Sequence, residues 1–228
     1  MEKIIIFDSS VIINFALNGI LNILENLKKI FPGKFIITKE VKKEIIDTPL
    51  NNKKYELEAL QINKLFNNKI LELPETINIK SEEITKESKK VLNLINNSFY
   101  IKNKQIHIID EGEASCIALS FLCENKGIKS IIAIDERTTR LLCENPFNLK
   151  EILEKKLHTE ITLKKNLDFL KWIKCVRSSE LVFFAYKKNI VDIESNNVLD
   201  ALLYAVKFKG CSISEQEISE MKKISKTI

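Results

Sequence analysis

The strongest constraint on the fold is a pattern that occurs twice: a short, wholly apolar run that ends in an acid. Ile4, Ile5, Ile6 and Phe7 lead straight into Asp8, and the run SIIAI at 130–134 leads into Asp135. Runs this short and this rich in isoleucine read as strands buried on both faces rather than as helices. The same reading places strands at 3–7, 34–37, 70–73 and 130–134. Between them the apolar residues recur at helical spacing, which predicts helices at 10–17, 20–30, 38–46, 55–66 and 81–97. A further helix opens at Asp110, whose acid stands three residues before Glu113 in a capping-box arrangement. Strands alternating with helices predict an α/β fold, a three-layer α/β/α domain with a central parallel sheet.

From about residue 145 the pattern changes. The runs NPFNLKEILEKKL, NLDFLKWI, SSELVFFAYKK, VLDALLYAVKFKG and SEQEISEMKK are helical in period, with little strand signal. Residues 150–228 are therefore expected to form a helical C-terminal extension packed on a domain at 1–149, because no Pro/Gly/Ser-rich linker separates them. Phe183, Phe184, Tyr204 and Trp172 lie in apolar stripes there and read as core.

Composition narrows the chemistry. A chain of 228 residues that is 45% hydrophobic can fill a core, which argues against disorder. The formal charge of +5 suits a polyanionic partner and equally an ordinary solvated surface. The 5 cysteines are odd in number and have no CxxC spacing, so neither a disulfide framework nor a zinc knuckle is indicated. The glycines are too scattered for GxGxxG or a phosphate loop, and two histidines without GxSxG give a serine triad little to work with. With no basic apolar leader and no apolar run near 18 residues, a cytoplasmic protein without membrane contact is the expectation.

Ligands of an open parallel sheet gather at the carboxyl ends of its strands. Asp8 and Asp135 should both emerge there, as helix caps or as site residues. Glu44 and Glu113 lie on helices that start from the same edge if the crossovers are right-handed. Four carboxylates meeting without a cation raise one another's pKa, a cost that a hard divalent cation removes. Mg²⁺ or Mn²⁺ takes oxygen ligands, activates water and stabilises the leaving oxygen of a phosphodiester. Asp110 reads rather as a cap, and Glu111 and Glu136 compete for places in the site. Arg137 and Arg140 could hold substrate phosphate or form ion pairs within their helix. A domain working through a phosphorylated Asp would need a positioned Lys, and no motif singles out that pair.

In order and spacing these pieces resemble the PIN-domain nucleases over roughly residues 1–145. The matching pieces are Asp8, Ser10 and Asn14 after the first strand, then Val41 and Glu44. They continue with Gly112-Glu113-Ala114 opening a helix that carries Ile117 to Leu119, and with Asp135 and Arg137 after a strand. The resemblance implies a Mg²⁺- or Mn²⁺-dependent ribonuclease with Asp8, Glu44, Glu113 and Asp135 as metal-site acids. It also implies that Ser10 and Asn14 support Asp8 or the metal waters. Glu113 stands where many members carry Asp, and Glu136-Arg137 replaces the usual aromatic. Both variants belong with a prokaryotic, largely archaeal branch that has a helical C-terminal part. Single-stranded RNA is the implied substrate, while a homodimer and an antitoxin-like protein partner stay open. The rival expectation is a catalytically silent scaffold of the same fold that binds RNA or a protein.

Overall fold

The computed structural model describes residues 2–226. Its spine is β1 (Lys3–Phe7). Successive strand side chains point to opposite faces, yet Ile4, Ile5, Ile6 and Phe7 are all buried, so both faces of the sheet are covered. Asp8 caps α1 (Ser9–Leu17) directly, and α2 (Leu21–Ile30) returns the chain to β2 (Lys34–Ile36), parallel to β1 with Ile6 opposite Ile36. Thr38 Oγ1 then accepts the Val41 N–H at 3.2 Å and caps α3 (Lys39–Lys42), which widens into a π-helical turn, Lys43–Asp47. After α4 (Glu56–Asn67) and α5 (Ser81–Asn96) comes a hairpin, β3 (Phe99–Ile101) and β4 (Lys104–Gln105).

α6 (Glu111–Asn125) leads into β5 (Lys129–Ala133), parallel to β1 on the side away from β2. α7 (Arg137–Glu144), α8 (Pro146–Leu157) and β6 (Thr162–Leu163) follow. β7 (Cys175–Val176) pairs parallel with β5, before α9 (Ser178–Lys187), α10 (Val198–Phe208) and α11 (Glu215–Lys226). The result is an α/β fold whose central four-stranded sheet runs β2-β1-β5-β7, all parallel, beside a small sheet ordered β4-β3-β6.

Three expectations are corrected. Residues 70–73 form no strand: one bridge joins Ile36 to Glu72, and Pro74, which has no N–H to give, ends the approach. Residues after 150 are not helical throughout. NLDFLKWI holds only the 3₁₀ turn Asp168–Leu170, and β7, two residues long, extends the central sheet. Nor are all the aromatics core, since Phe184 is 47% and Trp172 39% exposed. Residues on both sides of position 150, from Ile4 to Ile218, share one apolar cluster. Arg177, with 10% of its side chain exposed, ties the start of α9 to Glu217 of α11 at 2.8 Å. Among the described residues no helix is long and apolar enough to cross a membrane.

Candidate functional site

β1 sits where the strand order reverses, with β2 on one side and β5 on the other. Its carboxyl end is the switch point at which open parallel sheets hold ligands. A cleft of about 610 Å³ opens there, walled by the start of α1, the π-helical turn and the first turn of α6. Among the described residues six carboxylates line it, those of Asp8, Glu44, Asp110, Glu111, Glu113 and Glu136, and no lysine, arginine or histidine does, although His107 Nε2 meets Asp110 Oδ1 at 2.7 Å beside it.

Asp8 is 2% exposed. Its Oδ2 accepts the Ser10 N–H at 3.0 Å and the Ser10 hydroxyl at 2.5 Å, which caps α1. Its Oδ1 is buried and has no hydrogen-bond partner. Burial pushes the Asp8 pKa above its ordinary range, the Ser10 bonds oppose that, and the charge of Asp135 adds to it.

Glu44 projects from the π-helical turn, an irregularity often found at functional sites. Its carboxylate lies against the first turn of α6, where a Cβ on residue 112 would come within 2.8 Å of both oxygens, so a side chain there would displace the Glu44 carboxylate from its present seat. Burial raises its pKa first; the Ser9 hydroxyl opposes, and the charges of Asp8, Asp110 and Glu111 reinforce. Glu113 Oε2 accepts the Asp110 N–H at 2.8 Å, the expected cap, while Oε1 accepts the Thr139 hydroxyl. Burial above all pushes the Glu113 carboxyl up to about 7, with the charges of Asp8 and Glu136 contributing.

Asp135 behaves differently. It is 2% exposed and lies behind the cleft rather than on it. Oδ1 accepts the Ser178 N–H at 2.8 Å; Oδ2 accepts the Ser178 hydroxyl at 2.6 Å and Asn14 Nδ2 at 2.9 Å. Its own N–H donates to Ser10 Oγ at 3.1 Å, so a chain of bonds runs from α9 through Asp135 and Ser10 to Asp8. Asn14, expected to support Asp8 or the metal waters, donates from Nδ2 to Asp135 and, at 2.9 Å, to the Val206 carbonyl of α10. The cleft position expected of Asp135 goes to its neighbour Glu136, whose carboxylate also accepts the Thr138 N–H at 3.1 Å at the start of α7. Neither arginine lines the cleft: Arg137 is exposed, and Arg140 Nη1 reaches Glu144 at 3.1 Å along its own helix.

Sequence reasoning thus found Asp8, Glu44 and Glu113 on the cleft but missed Ser178 and Thr139. Ser178 lies 43 positions from Asp135 on a helix reached through a two-residue strand, so only the pairing of β7 with β5 joins them. Thr139 does follow Asp135 by about one helical turn, which places it on a face that α6 can meet. Among the described residues no three His, Cys, Asp or Glu side chains stand close enough to form a ready-made metal site. Compared with known proteins, the chain matches no protein-family model, no curated protein and no solved structure.

Proposed function

We propose that the chain is a Mg²⁺- or Mn²⁺-dependent ribonuclease of PIN type, hydrolysing single-stranded RNA at the acid-lined cleft. The observation that carries this reading is the combination of six carboxylates without one cationic side chain and the buried, unpartnered Asp8 Oδ1. Helix capping accounts for Asp8 Oδ2, Glu113 and Glu136 but not for Glu44 or the orphan oxygen, whereas a hard cation would satisfy that oxygen and offset the mutual repulsion. Asp8 and Glu44 would hold the ion from the protein side, with Glu113 and Glu136 reaching it through water. Mg²⁺ commonly takes one or two protein carboxylates and keeps several waters, so a compact cluster of three ligands is not needed. Bound there, the cation supplies Lewis acidity and a water of lowered pKa.

The chain's own residues do the positioning. The Ser10 hydroxyl fixes Asp8 Oδ2 and leaves Oδ1 without a partner, the oxygen that would bind the cation, and the Ser178–Asp135–Ser10 chain fixes Ser10. Glu44 is seated on Gly112, and Glu113 is seated between Asp110 N–H and Thr139. RNA is preferred to DNA on the resemblance alone.

One observation favours a silent scaffold as second reading: both Glu113 oxygens already serve structural bonds. Two assays separate the readings. Mn²⁺ at a hundredfold excess over Kd should stabilise the native chain by about 2.7 kcal/mol, and mixed RNA should be cleaved. The Asp8→Asn, Glu44→Gln double variant should show neither effect. Stabilisation without cleavage favours the scaffold, and no metal response in the native chain removes the hydrolase reading.

A further inference from the structure

A second cavity, of about 510 Å³, lies on the other side of Glu44, between α1, the π-helical turn and α4. Its walls are largely apolar, with Ile13, Leu17, Ile45 and Ile62 among them, and Tyr55 stands at its mouth, 43% exposed. Two carboxylates, Glu44 at the side shared with the acid cleft and Glu58 on α4, break the pattern. Glu58 faces this cavity, and its Oε2 is buried without any hydrogen-bond partner. An orphan carboxylate oxygen in an apolar cavity calls for an N–H donor from an occupant. Lys54 places its ammonium 4.9 Å from the centre of the Tyr55 ring and so adds a cation at the mouth.

We infer that this cavity is a base subsite for guanine in the RNA strand whose phosphodiester lies in the acid cleft; the inference rests on the ribonuclease reading. Glu44 walls both spaces, so the nucleotide beside the scissile phosphate is the one that can reach the second. A cavity of this size takes a nucleobase with room to spare. Single-stranded bases are held by aromatic stacking and by bonds to their Watson–Crick edges. Only guanine presents two adjacent N–H donors, N1–H and N2–H, to a carboxylate. Adenine and cytosine set a lone pair next to their donor, and uracil flanks N3–H with two carbonyls. Lys54 would meet the phosphate flanking that base.

The test uses the full chain at low salt with Ca²⁺ in place of Mg²⁺, a hard oxygen-binding cation of weaker Lewis acidity that keeps the acid cleft compensated, and fluorescently labelled pentaribonucleotides UUGUU, UUAUU, UUCUU and UUUUU read by anisotropy before any cleavage is seen. UUGUU is expected to bind about tenfold more tightly than the other three. Glu58→Gln, which turns one acceptor into a donor, should erase that preference while leaving the other three affinities within about twofold; Tyr55→Ala should weaken all four. Circular dichroism melting checks that both variants fold. Equal binding of all four, no binding, or a guanine preference that survives Glu58→Gln overturns the proposal. So does a dimer, seen by sedimentation and abolished by Leu17→Arg, that UUGUU fails to displace, since the occupant is then a second copy. Cleavage of the same oligonucleotides with Mg²⁺ keeps the two readings apart. Cleavage without base preference retains the hydrolase and removes the guanine subsite; guanine-selective binding without cleavage does the reverse.

Discussion

Asp8 and Asp135 end neighbouring strands of one sheet, are both 2% exposed, and have come to opposite arrangements. Asp8 keeps one oxygen unpartnered at the wall of the cleft, whereas Asp135 has both oxygens taken by Ser178 and Asn14. A strand followed by an acid fixes the edge of the sheet at which that acid emerges, but not what meets its side chain. At β1 the next residues form the cap of α1 and occupy only Oδ2. At β5 the start of α9, delivered by β7, arrives to take Oδ1 and share Oδ2. One edge therefore carries an acid with an unpartnered oxygen and a braced acid, and the brace comes from Asn14 of α1 and from Ser178, which lies beyond residue 150.

The largest test of that contrast is stability. Asp135→Ala strands the buried donors of Ser178 and Asn14 and is expected to cost about 3 kcal/mol in urea denaturation. Asp8→Ala loses a helix cap worth about 1 kcal/mol but also removes a buried charge, so its net cost should stay below about 1 kcal/mol. Equal losses at the two positions would erase the distinction between the braced and the unbraced acid.

Next in size is the pH dependence of Glu113. Its carboxyl is held at about 7 in the folded chain against an ordinary 4.5, so the folded state binds this proton more tightly than the unfolded state does. The stability from that proton is whole below about pH 4.5 and is lost as pH rises through about 7. Glu113→Gln can keep both neighbours, accepting from Asp110 N–H and donating to Thr139. In the absence of divalent metal it should raise stability at pH 8 by about 2–3 kcal/mol and change little at pH 4. A variant no more stable than the native chain at pH 8 would contradict the burial cost assigned to this acid.

Ser178→Ala removes the shorter of the two bonds from α9 to Asp135 while its N–H stays in place, and should cost about 1–2 kcal/mol. Through Ser10 it should also slow RNA cleavage without weakening Mn²⁺ binding more than about threefold, since it acts on geometry rather than on a ligand. Smallest of all is Arg140→Ala: its pair with the half-exposed Glu144, four residues on along one helix, is worth about 0.3–0.5 kcal/mol. A tenfold or larger rise in KM for RNA there would return Arg140 to the substrate-binding role that its ion pair argues against.

What could be read in advance follows the range of the interactions. β1, β5, the Asp110 cap and the helices of the first 145 residues rest on local periodicity and local turn chemistry, which a single sequence displays. Glu44 and Glu113 were placed on the cleft because right-handed crossovers return each helix to the same edge. β7 was illegible because two residues carry no period, and with it went the join between Ser178 and Asp135. The π-helical turn at Glu44 was also invisible, as TKEVKKEII has the composition of an ordinary helix. The bond from Asn14 to Val206 is out of reach of a local reading for a related reason: the two lie 192 positions apart.

The most direct measurement is Mn²⁺ binding, followed by the loss of the free-ion electron paramagnetic resonance signal, in the native chain, Asp8→Asn and Asp135→Asn at pH 7.5. With Asp8 Oδ1 as a ligand and Asp135 as a brace, Asp8→Asn should weaken binding at least about tenfold, and Asp135→Asn, once confirmed to be folded, by no more than about threefold. Failure of the native chain to bind Mn²⁺, or an equal loss in the two variants, would contradict the division of roles along this sheet edge.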